Sequence, residues 1–377
     1  MSCSSPLKIA IAAGGTGGHF FPAEALATEL GTRGHTLILM TDRRHGARAT
    51  GFFADRPQYV LDGAGVAGKG LAAKLRGLKA LAGGTFAALA LLKTIAPDAV
   101  VGFGGYPSVP PLLAARLMGG RRPALIIHEG NAVLGQANAL LARFADAVAT
   151  SYPVVARFPP GKTAVLTGMP VRPGIAALID TAYDPPGETL NLLVWGGSLG
   201  ARVFSDVVPE ALTALPPGDR ARLRVTQQVR QEDAPRVAAL YRNAGILATT
   251  APFFDNVPDL LAAAHLVIGR AGGSSVAELT MAGRPAIMVP LPVAASDEQG
   301  ANAEELVRAG AGWMIRQPDF TAAALTQRLE ALLADPAALP RAAAAARALA
   351  RPGSAALLAD LVESTCAAYA SPSSPTL

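Results

Sequence analysis

Short runs of apolar, often β-branched residues alternate along the chain with longer stretches rich in Ala and Leu, and Gly or Pro marks most of the junctions. Short apolar runs bounded by turn residues read as strands of a buried sheet, and the longer stretches between them as helices. In the first half the pattern predicts strands at 8–13, 36–40, 99–103, 124–128, 147–150 and 163–166, with helices at 23–31, 111–118 and 134–144. The segment YDPPG at 183–187 interrupts it. The alternation then restarts, with strands at 190–195, 222–227, 246–249, 266–269, 286–289 and 312–315 and helices at 203–215, 234–244, 274–282, 302–309 and 321–333. Regular β–α alternation argues for βαβ units and parallel sheets. The restart argues for two similar α/β halves, with a hinge between about Gly168 and Gly187. The end of the chain, SPSSPTL at 371–377, reads as a disordered tail.

Length and composition agree with two domains. The chain has 377 residues, 51% of them apolar, and domains run to about 150 residues each. The 39 Gly and 30 Pro favour many tight loops over long bundles, and 16% charged residues at this hydrophobicity exclude a disordered chain. Cys3 and Cys366 stand near opposite ends, with no CxxC or Cys/His cluster, so neither a disulfide framework nor a zinc site is expected and a reducing compartment fits. The N-terminal segment lacks a charged region followed by a cleavable apolar run, so 7–13 is read as a strand and not a signal peptide. No uninterrupted apolar run approaches about 20 residues. The longest, 86–92, is too short, and no transmembrane helix is expected. The net charge of +5 suits an anionic ligand or an anionic membrane surface. Nucleic acid is not expected, because no dense Lys/Arg block with interleaved aromatics occurs.

Three Gly-rich segments follow predicted strands: Gly14-Gly15-Thr16-Gly17-Gly18, Gly102-Phe103-Gly104-Gly105-Tyr106 and Gly196-Gly197-Ser198-Leu199-Gly200. The first and third lead directly into predicted helices. Bare backbone at a helix start offers free N–H groups to a phosphate, aided by the helix dipole. Each loop by itself is equally readable as a tight strand-to-helix turn. Three of them at the edges where α/β sheets bind ligands point to a phosphorylated ligand. The dinucleotide fingerprint G-x-G-x-x-G is not met: counted from Gly15 and Gly17 its third glycine falls on Phe20, and counted from Gly196 it breaks at Ser198. Asp42 ends the second strand where a ribose-binding acid could sit, but Arg43 and Arg44 follow it, which leaves room only for a phosphorylated ribose.

The block GRAGGSSVAELTMAGRPAIMVPLP starts with a strand ending before Arg270. Gly272 and Gly273 make the turn, and Ser274 and Ser275 are candidate helix caps. That helix start offers N–H groups to a diphosphate. Glu278, one turn further in, either accepts hydrogen bonds from both ribose hydroxyls or is a solvated helix acid.

GGTGGH at 14–19, GFGGYPS at 102–108, HEGN at 128–131, GMPVR at 168–172, GGSLGAR at 196–202 and the R-x-G-x-x-S-x-x-E…GxPxxxVPxP series starting at Arg270 occur in that order and span about residues 11–315. This ordered set resembles the MurG family of glycosyltransferases. The resemblance implies the GT-B fold, two Rossmann-like α/β domains with parallel sheets facing across a cleft. It implies an acceptor-side, membrane-associated domain at 1–170, a UDP-GlcNAc-binding domain at 171–350, and a C-terminal helix at 351–370 returning to the first domain. It also implies UDP-GlcNAc as donor and undecaprenyl-diphosphoryl-MurNAc-pentapeptide (lipid I) as acceptor, a β-1,4 product formed with inversion, and a peripheral location on the cytoplasmic face of the bacterial inner membrane, with cell-wall assembly proteins as further partners.

Carried over by motif, Thr16, Gly17 and Gly18 face the reaction centre, and Gly14, Gly15, Gly104, Gly105 and Tyr106 take the acceptor diphosphate. Asn131 and Arg172 contact the donor, and Ser198 its diphosphate. Gly273, Ser274, Ser275, Val276, Ala277 and Glu278 hold phosphate and ribose, the backbone of Phe254 meets uracil, and Gln299 meets the sugar. The chain departs from the family at three places. Met169 stands where Asn is usual, Gln227-Gln228-Val229-Arg230 stands where His-Gln-Ser/Thr-Gly is frequent, and Glu298 precedes Gln299 after a one-residue length difference.

An acceptor hydroxyl must lose a proton as it attacks the anomeric carbon. His19 is the first candidate base, since an imidazole titrates near neutral pH, with His128 and Glu129 behind it. No DxD motif is present, no metal or other cofactor is expected, and Arg270 is the candidate positive charge in a metal's place. The segment KGLAAKLRGLK at 69–79 sets Leu71, Leu75 and Leu78 among Lys69, Lys74, Arg76 and Lys79, a basic amphipathic pattern suited to an anionic lipid surface, although Gly70 and Gly77 weaken it as a helix. Three other readings stay open at this level: a UDP-GlcNAc 2-epimerase or a transferase on a soluble acceptor, a non-catalytic nucleotide binder, and an NADP-dependent oxidoreductase.

Overall fold

A computed structural model describes residues 5–14, 17–43, 46–61, 71–119, 122–197, 200–292 and 296–370. The chain forms two compact units, Met1–Arg172 with Gly353–Leu377, and Pro173–Pro352.

The first unit runs β1 (Lys8–Ala12), α1 (Gly17–Thr32), β2 (Thr36–Asp42), β3 (Gln58–Leu61), α2 (Leu71–Ile95), β4 (Ala99–Gly102), α3 (Gly105–Leu117), β5 (Ala124–Glu129), α4 (Gln136–Leu141), β6 (Ala147–Thr150) and β7 (Ala164–Leu166). Its strands form one parallel sheet in the order β3-β2-β1-β4-β5-β6-β7. Strands covered on both faces read as near-continuous apolar runs, and β1, β4 and β5 are buried nearly end to end, β5 closing on the polar pair His128 and Glu129. Side chains alternate between faces. Ile9 and Ile11 pack with Phe20, Leu26 and Leu30 of α1. Ala10 and Ala12 pack with Leu92 of α2 and Leu112 of α3.

The second unit opens with α5 (Pro173–Ala176) and a short 3-10 turn (Ala177–Asp180). It continues with β8 (Leu190–Trp195), α6 (Arg202–Ala214), α7 (Pro217–Arg222), β9 (Leu223–Gln228), α8 (Ala234–Asn243), β10 (Leu247–Ala251), α9 (Val257–Ala263), β11 (Leu266–Gly269), α10 (Gly273–Ala282), β12 (Ala286–Met288), α11 (Glu298–Arg308), β13 (Gly312–Met314), α12 (Ala322–Ala334) and α13 (Ala338–Ala348). The sheet is parallel, in the order β10-β9-β8-β11-β12-β13. The last helix, α14 (Ser354–Ala370), packs on α1 of the first unit. Leu358, Ala359, Val362 and Cys366 enter that unit's core. Arg33 bonds Asp360 at 2.6 Å and Glu363 at 3.0 Å, and the His35 ring accepts from the Leu7 N–H and bonds Glu363 at 2.8 Å.

Four differences from the expected elements have physical causes. β3 was not expected: it is a four-residue edge strand with one buried side chain, too little to produce an apolar pattern. The helix expected at 111–118 begins at Gly105: Pro107 sits in its first turn, where a missing N–H costs nothing, and Pro110 and Pro111 lie within the helix. The helix expected at 23–31 likewise begins earlier, at Gly17, inside the first Gly-rich segment. The stretch weakened by glycines is α2, a continuous helix whose Gly77 and Gly84 are buried as it packs along α3. Its part Gly77–Ile95 is, by length and composition, long and apolar enough to cross a membrane, contrary to the sequence expectation. Lys79 and Lys93 break the apolar run in sequence without breaking the helix, and Ala88, Leu92 and Ile95 are core residues of the first unit.

In the second unit a buried charge holds helix ends together. Arg284 is 1% exposed. Its guanidinium donates to the carbonyls of Leu261 at 2.8 Å and Ala262 at 2.7 Å, in the last turn of α9. Peptide dipoles leave that end partly negative, so carbonyls stand in for a carboxylate. Arg284→Met should therefore cost about 3 kcal/mol. The measurement is the urea midpoint of the full-length chain, and an unchanged midpoint would show that these carbonyls find other partners.

Candidate active site

Both sheets reverse their winding after their third strand, and the fourth lies against the other side of the first. In the first unit α1 leaves β1 on one face and α3 leaves β4 on the other. The carboxyl ends of β1 and β4, paired at Ala12 and Gly102, therefore border a gap that no crossover fills. Ligands of doubly wound sheets bind at such a reversal. The first two Gly-rich segments meet there. Gly104 and Gly105 have φ of 81° and 67°, open to glycine at little cost, so the second segment also runs straight into a helix. Ser108 ties α3 to the sheet, its one hydroxyl proton shared between the carbonyls of Ala12 at 2.9 Å and Gly104 at 2.8 Å. His19, in the first turn of α1, lies on this turn: a Cβ built on Gly105 would stand 3.5 Å from its Cδ2 and one on Gly104 3.6 Å from its Cε1. Gly14, buried at the end of β1, and Gly17 and Gly18, at the start of α1, share the same edge. Tyr106, 40% exposed, opens α3 beside them. Gly15 and Thr16 lie outside the described residues.

The HEGN segment follows β5, and here the structure corrects the second choices for the base. The Glu129 carboxylate is 2% exposed. Its Oε1 accepts from the backbone N–H and Nδ2 of Asn131, and its Oε2 from the Gly135 N–H and Asn138 Nδ2, at 2.9–3.0 Å. Burial pushes its pKa up, but with both oxygens committed it braces the loop that carries Asn131 and has no place for a substrate proton. His128 is 1% exposed, and its Nε2–H donates to the Gly168 carbonyl at 2.9 Å. Burial holds its pKa down at about 4, so the ring is neutral and its proton is spoken for. Met169, the departure from Asn, packs onto this loop: its Cε lies 2.4 Å from where a Gly130 Cβ would stand. Arg172 stacks over the Phe21 ring at 4.4 Å.

In the second unit the reversal lies between β8 and β11, paired at Trp195 and Gly269. The third Gly-rich segment follows β8, and the Arg270 block follows β11. A cleft open to solvent is lined by Trp195, Arg270, Ser275 and Glu278, together with aliphatic side chains that include Leu193 and Met288. The Trp195 and Phe254 rings lie 6.5 Å apart at 30°. Gly273, Ser274, Ser275, Val276 and Ala277 form the first turns of α10 and Glu278 continues it. Ser274 and Ser275 do not cap the helix: the N-cap is Gly272, with no side-chain cap bond, so the N–H groups there are not satisfied by a cap side chain. The turn before α10 is clamped on both sides. Gln299 Oε1 accepts from the N–H of Ala271 at 3.2 Å and of Leu291 at 3.0 Å, and Asn302 Nδ2 donates to the Ala271 carbonyl at 2.9 Å. Arg270 donates to the carbonyls of Val289 at 2.9 Å and Pro290 at 3.3 Å, and among the described residues no carboxylate pairs with it. Among the described residues no cluster of three metal-ligating side chains occurs. Ser198 lies outside the described residues. Sequence reasoning missed Trp195, whose only signal was its place as the last strand residue before Gly196.

Comparison with known proteins supplies the family. The glycosyltransferase family 28 N-terminal domain matches residues 9–150, and the glycosyltransferase family 28 C-terminal domain matches 191–358. The chain belongs to glycosyltransferase family 28. Within that family it is similar to the UDP-N-acetylglucosamine--N-acetylmuramyl-(pentapeptide) pyrophosphoryl-undecaprenol N-acetylglucosamine transferase of Gluconobacter oxydans, at 64% identity over 94% of this chain and 98% of that one. The protein of the same name from Granulibacter bethesdensis is 55% identical over 94% of this chain and 93% of that one. The crystal structure of Acinetobacter baumannii MurG matches with a TM-score of 0.76 at 33% identity, over 95% of this chain and all of that one. A UDP-N-acetylglucosamine 2-epimerase structure from Listeria monocytogenes matches at TM-score 0.63 with 15% identity, a likeness of fold alone. The family 28 chain therefore has the GT-B fold.

The buried His128 gives this family 28 chain a testable acid sensitivity. The unfolded chain takes up the imidazole proton below about pH 6.5, the folded chain only near 4. Stability is whole above the unfolded value and drains away as pH falls through that window. Glu129, whose pKa is raised, has the opposite sign there, so the variant His128→Gln isolates the histidine. Between pH 7 and pH 4 the wild type should lose about 3 kcal/mol more than the variant in urea titrations. Equal losses would mean that folded His128 is protonated.

Proposed function

We propose that the chain transfers N-acetylglucosamine from UDP-GlcNAc to the C4 hydroxyl of MurNAc in lipid I, forming lipid II with inversion at the anomeric carbon; the names of its family 28 relatives give, for them, the same donor and the same undecaprenol-linked N-acetylmuramyl-pentapeptide acceptor. The observation that carries the donor side is the cleft at the β8/β11 reversal, where Glu278 and Ser275 stand with Trp195 at the uncapped N-terminal turns of α10. Glu278 accepts hydrogen bonds from the ribose hydroxyls, the turns before α6 and α10 take the diphosphate, Phe254 lies at the base, and Gln299 reaches the sugar. On the acceptor side Gly14, Gly104, Gly105 and Tyr106 take the lipid diphosphate.

In the reaction the acceptor oxygen forms a bond to the anomeric carbon as the bond from that carbon to the β-phosphate oxygen breaks. The electron pair leaves with UDP, and the hydroxyl proton passes to the His19 imidazole. Arg270, held by carbonyls and paired with no described carboxylate, offsets the charge gathering on the leaving group. Incubation with UDP-GlcNAc and a short-chain lipid I analogue should release UDP only when the acceptor is present. Release without acceptor would favour an epimerase, and no release would favour a nucleotide binder. In the same assay His19→Ala should lower kcat about 100-fold or more with little change in donor KM; unchanged turnover would remove His19 from the chemistry.

We further propose that the protein is peripheral on the cytoplasmic face of the inner membrane and meets anionic lipid through one face of α2. Leu75, Leu78 and Phe86 are 59%, 61% and 70% exposed at helical spacing, with exposed Lys79 beside them. Lys69 lies outside the described residues, as do the side chains of Leu71, Lys74 and Arg76. Each basic residue near an anionic surface contributes about 1 kcal/mol. Charge reversal at Lys74, Arg76 and Lys79 together should then cut co-sedimentation with phosphatidylglycerol vesicles more than about tenfold, whereas insensitive binding would count against this surface.

A further inference from the structure

Gln228, the last residue of β9, is 2% exposed and spends both ends of its amide on backbone. Its Oε1 accepts from the Gly196 N–H at 3.1 Å, and its Nε2 donates to the Pro252 carbonyl at 3.2 Å. The orientation is dictated by the partners, since an N–H must face oxygen and a carbonyl must face the amide nitrogen. Gly196 opens the turn after β8, which closes on itself through the Gly200 N–H on the Gly197 carbonyl at 3.1 Å. It closes so tightly that a Cβ on Gly196 would lie 2.5 Å from the Ala201 nitrogen. Pro252 follows β10 and immediately precedes Phe253 and Phe254. One side chain on the middle strand therefore spans the carboxyl ends of its neighbours β8 and β10.

Gln227 is held separately. Its Nε2 donates to the Phe204 carbonyl of α6, and its Oε1 accepts from the Tyr241 hydroxyl of α8. That pair fastens β9 to its covering helices and leaves the reach across the sheet edge to Gln228.

We infer that Gln228 is a positioning residue for the donor: it sets the spacing between the diphosphate turn at Gly196 and the base-contact segment at Phe254. This rests on the UDP-GlcNAc reading above. A ligand that touches both segments depends on that spacing, and one such as uridine, which reaches the base segment and Glu278 but not the Gly196 turn, does not.

The test compares UDP with uridine by calorimetry on the full-length chain, with Gln228→Met (similar length, no hydrogen bonds) and Gln228→Asn (both groups, one methylene short). Thermal melts check folding, and Gln228→Asn carries the test if Gln228→Met fails to fold. In a folded variant UDP affinity should fall roughly tenfold or more, while uridine affinity stays within about twofold, so that the ratio between the two ligands collapses. In turnover, donor KM should rise with acceptor KM unchanged. Equal losses for UDP and uridine, or no loss for either, overturn the inference. Wild-type chain that binds no UDP overturns the donor reading itself and the inference with it.

Discussion

The arrangement rests on one constraint of parallel sheets. Strand-to-strand crossovers are right-handed, so a chain that winds outward first one way and then the other must place its helices on opposite faces. Where the direction reverses, two adjacent strands end with no helix packed over the gap between them. The protein makes this reversal in each unit, at β1/β4 and at β8/β11. The Gly-rich segments and the Arg270 block all follow strands at these two places. Phosphate-binding capacity therefore comes from the winding, and the loop residues exploit it.

Bare turns alone would be loose, and the side chains that stiffen them form a second pattern. Ser108, Glu129, Gln228, Gln299 and Asn302 each bond backbone close to a strand end. A buried polar group is tolerated only when its bonds are made, so each residue fixes its loop in one geometry. Turns held in this way present their remaining N–H groups with little reorganisation when a charged ligand arrives. Glu129 illustrates the cost of reading chemistry from residue type: a carboxylate beside a glycine loop resembles a base, yet four N–H donors make it a brace.

Much of the fold was legible because its signal is local. Central strands such as β1, β4 and β5 are largely apolar runs, since burial on both faces leaves few polar positions, and α10 and α12 carry clear helical stretches between turn residues. Elements whose stability comes from neighbours were hard to read. β3 is an edge strand held by its pairing with β2 and by one buried side chain, Leu61, and of the glycines in α2, Gly77 and Gly84 are buried and Gly83 exposed. The glycine loops, Arg270 and Glu278 stood out from strand–turn–helix order and motif.

The sequence by itself determined the α/β class, the twofold repetition of the winding, the family and the set of chemistry-bearing residues, because these depend on periodicity and on residue order. Only the tertiary structure decided which polar residues face a ligand and which hold the backbone. It turned His128 and Glu129 inward, brought Trp195 beside Glu278 and spent both ends of the Gln228 amide on loops from other strands. Hydrogen-bond satisfaction joins groups far apart in the chain, and no local pattern records which partner a buried donor or acceptor will find.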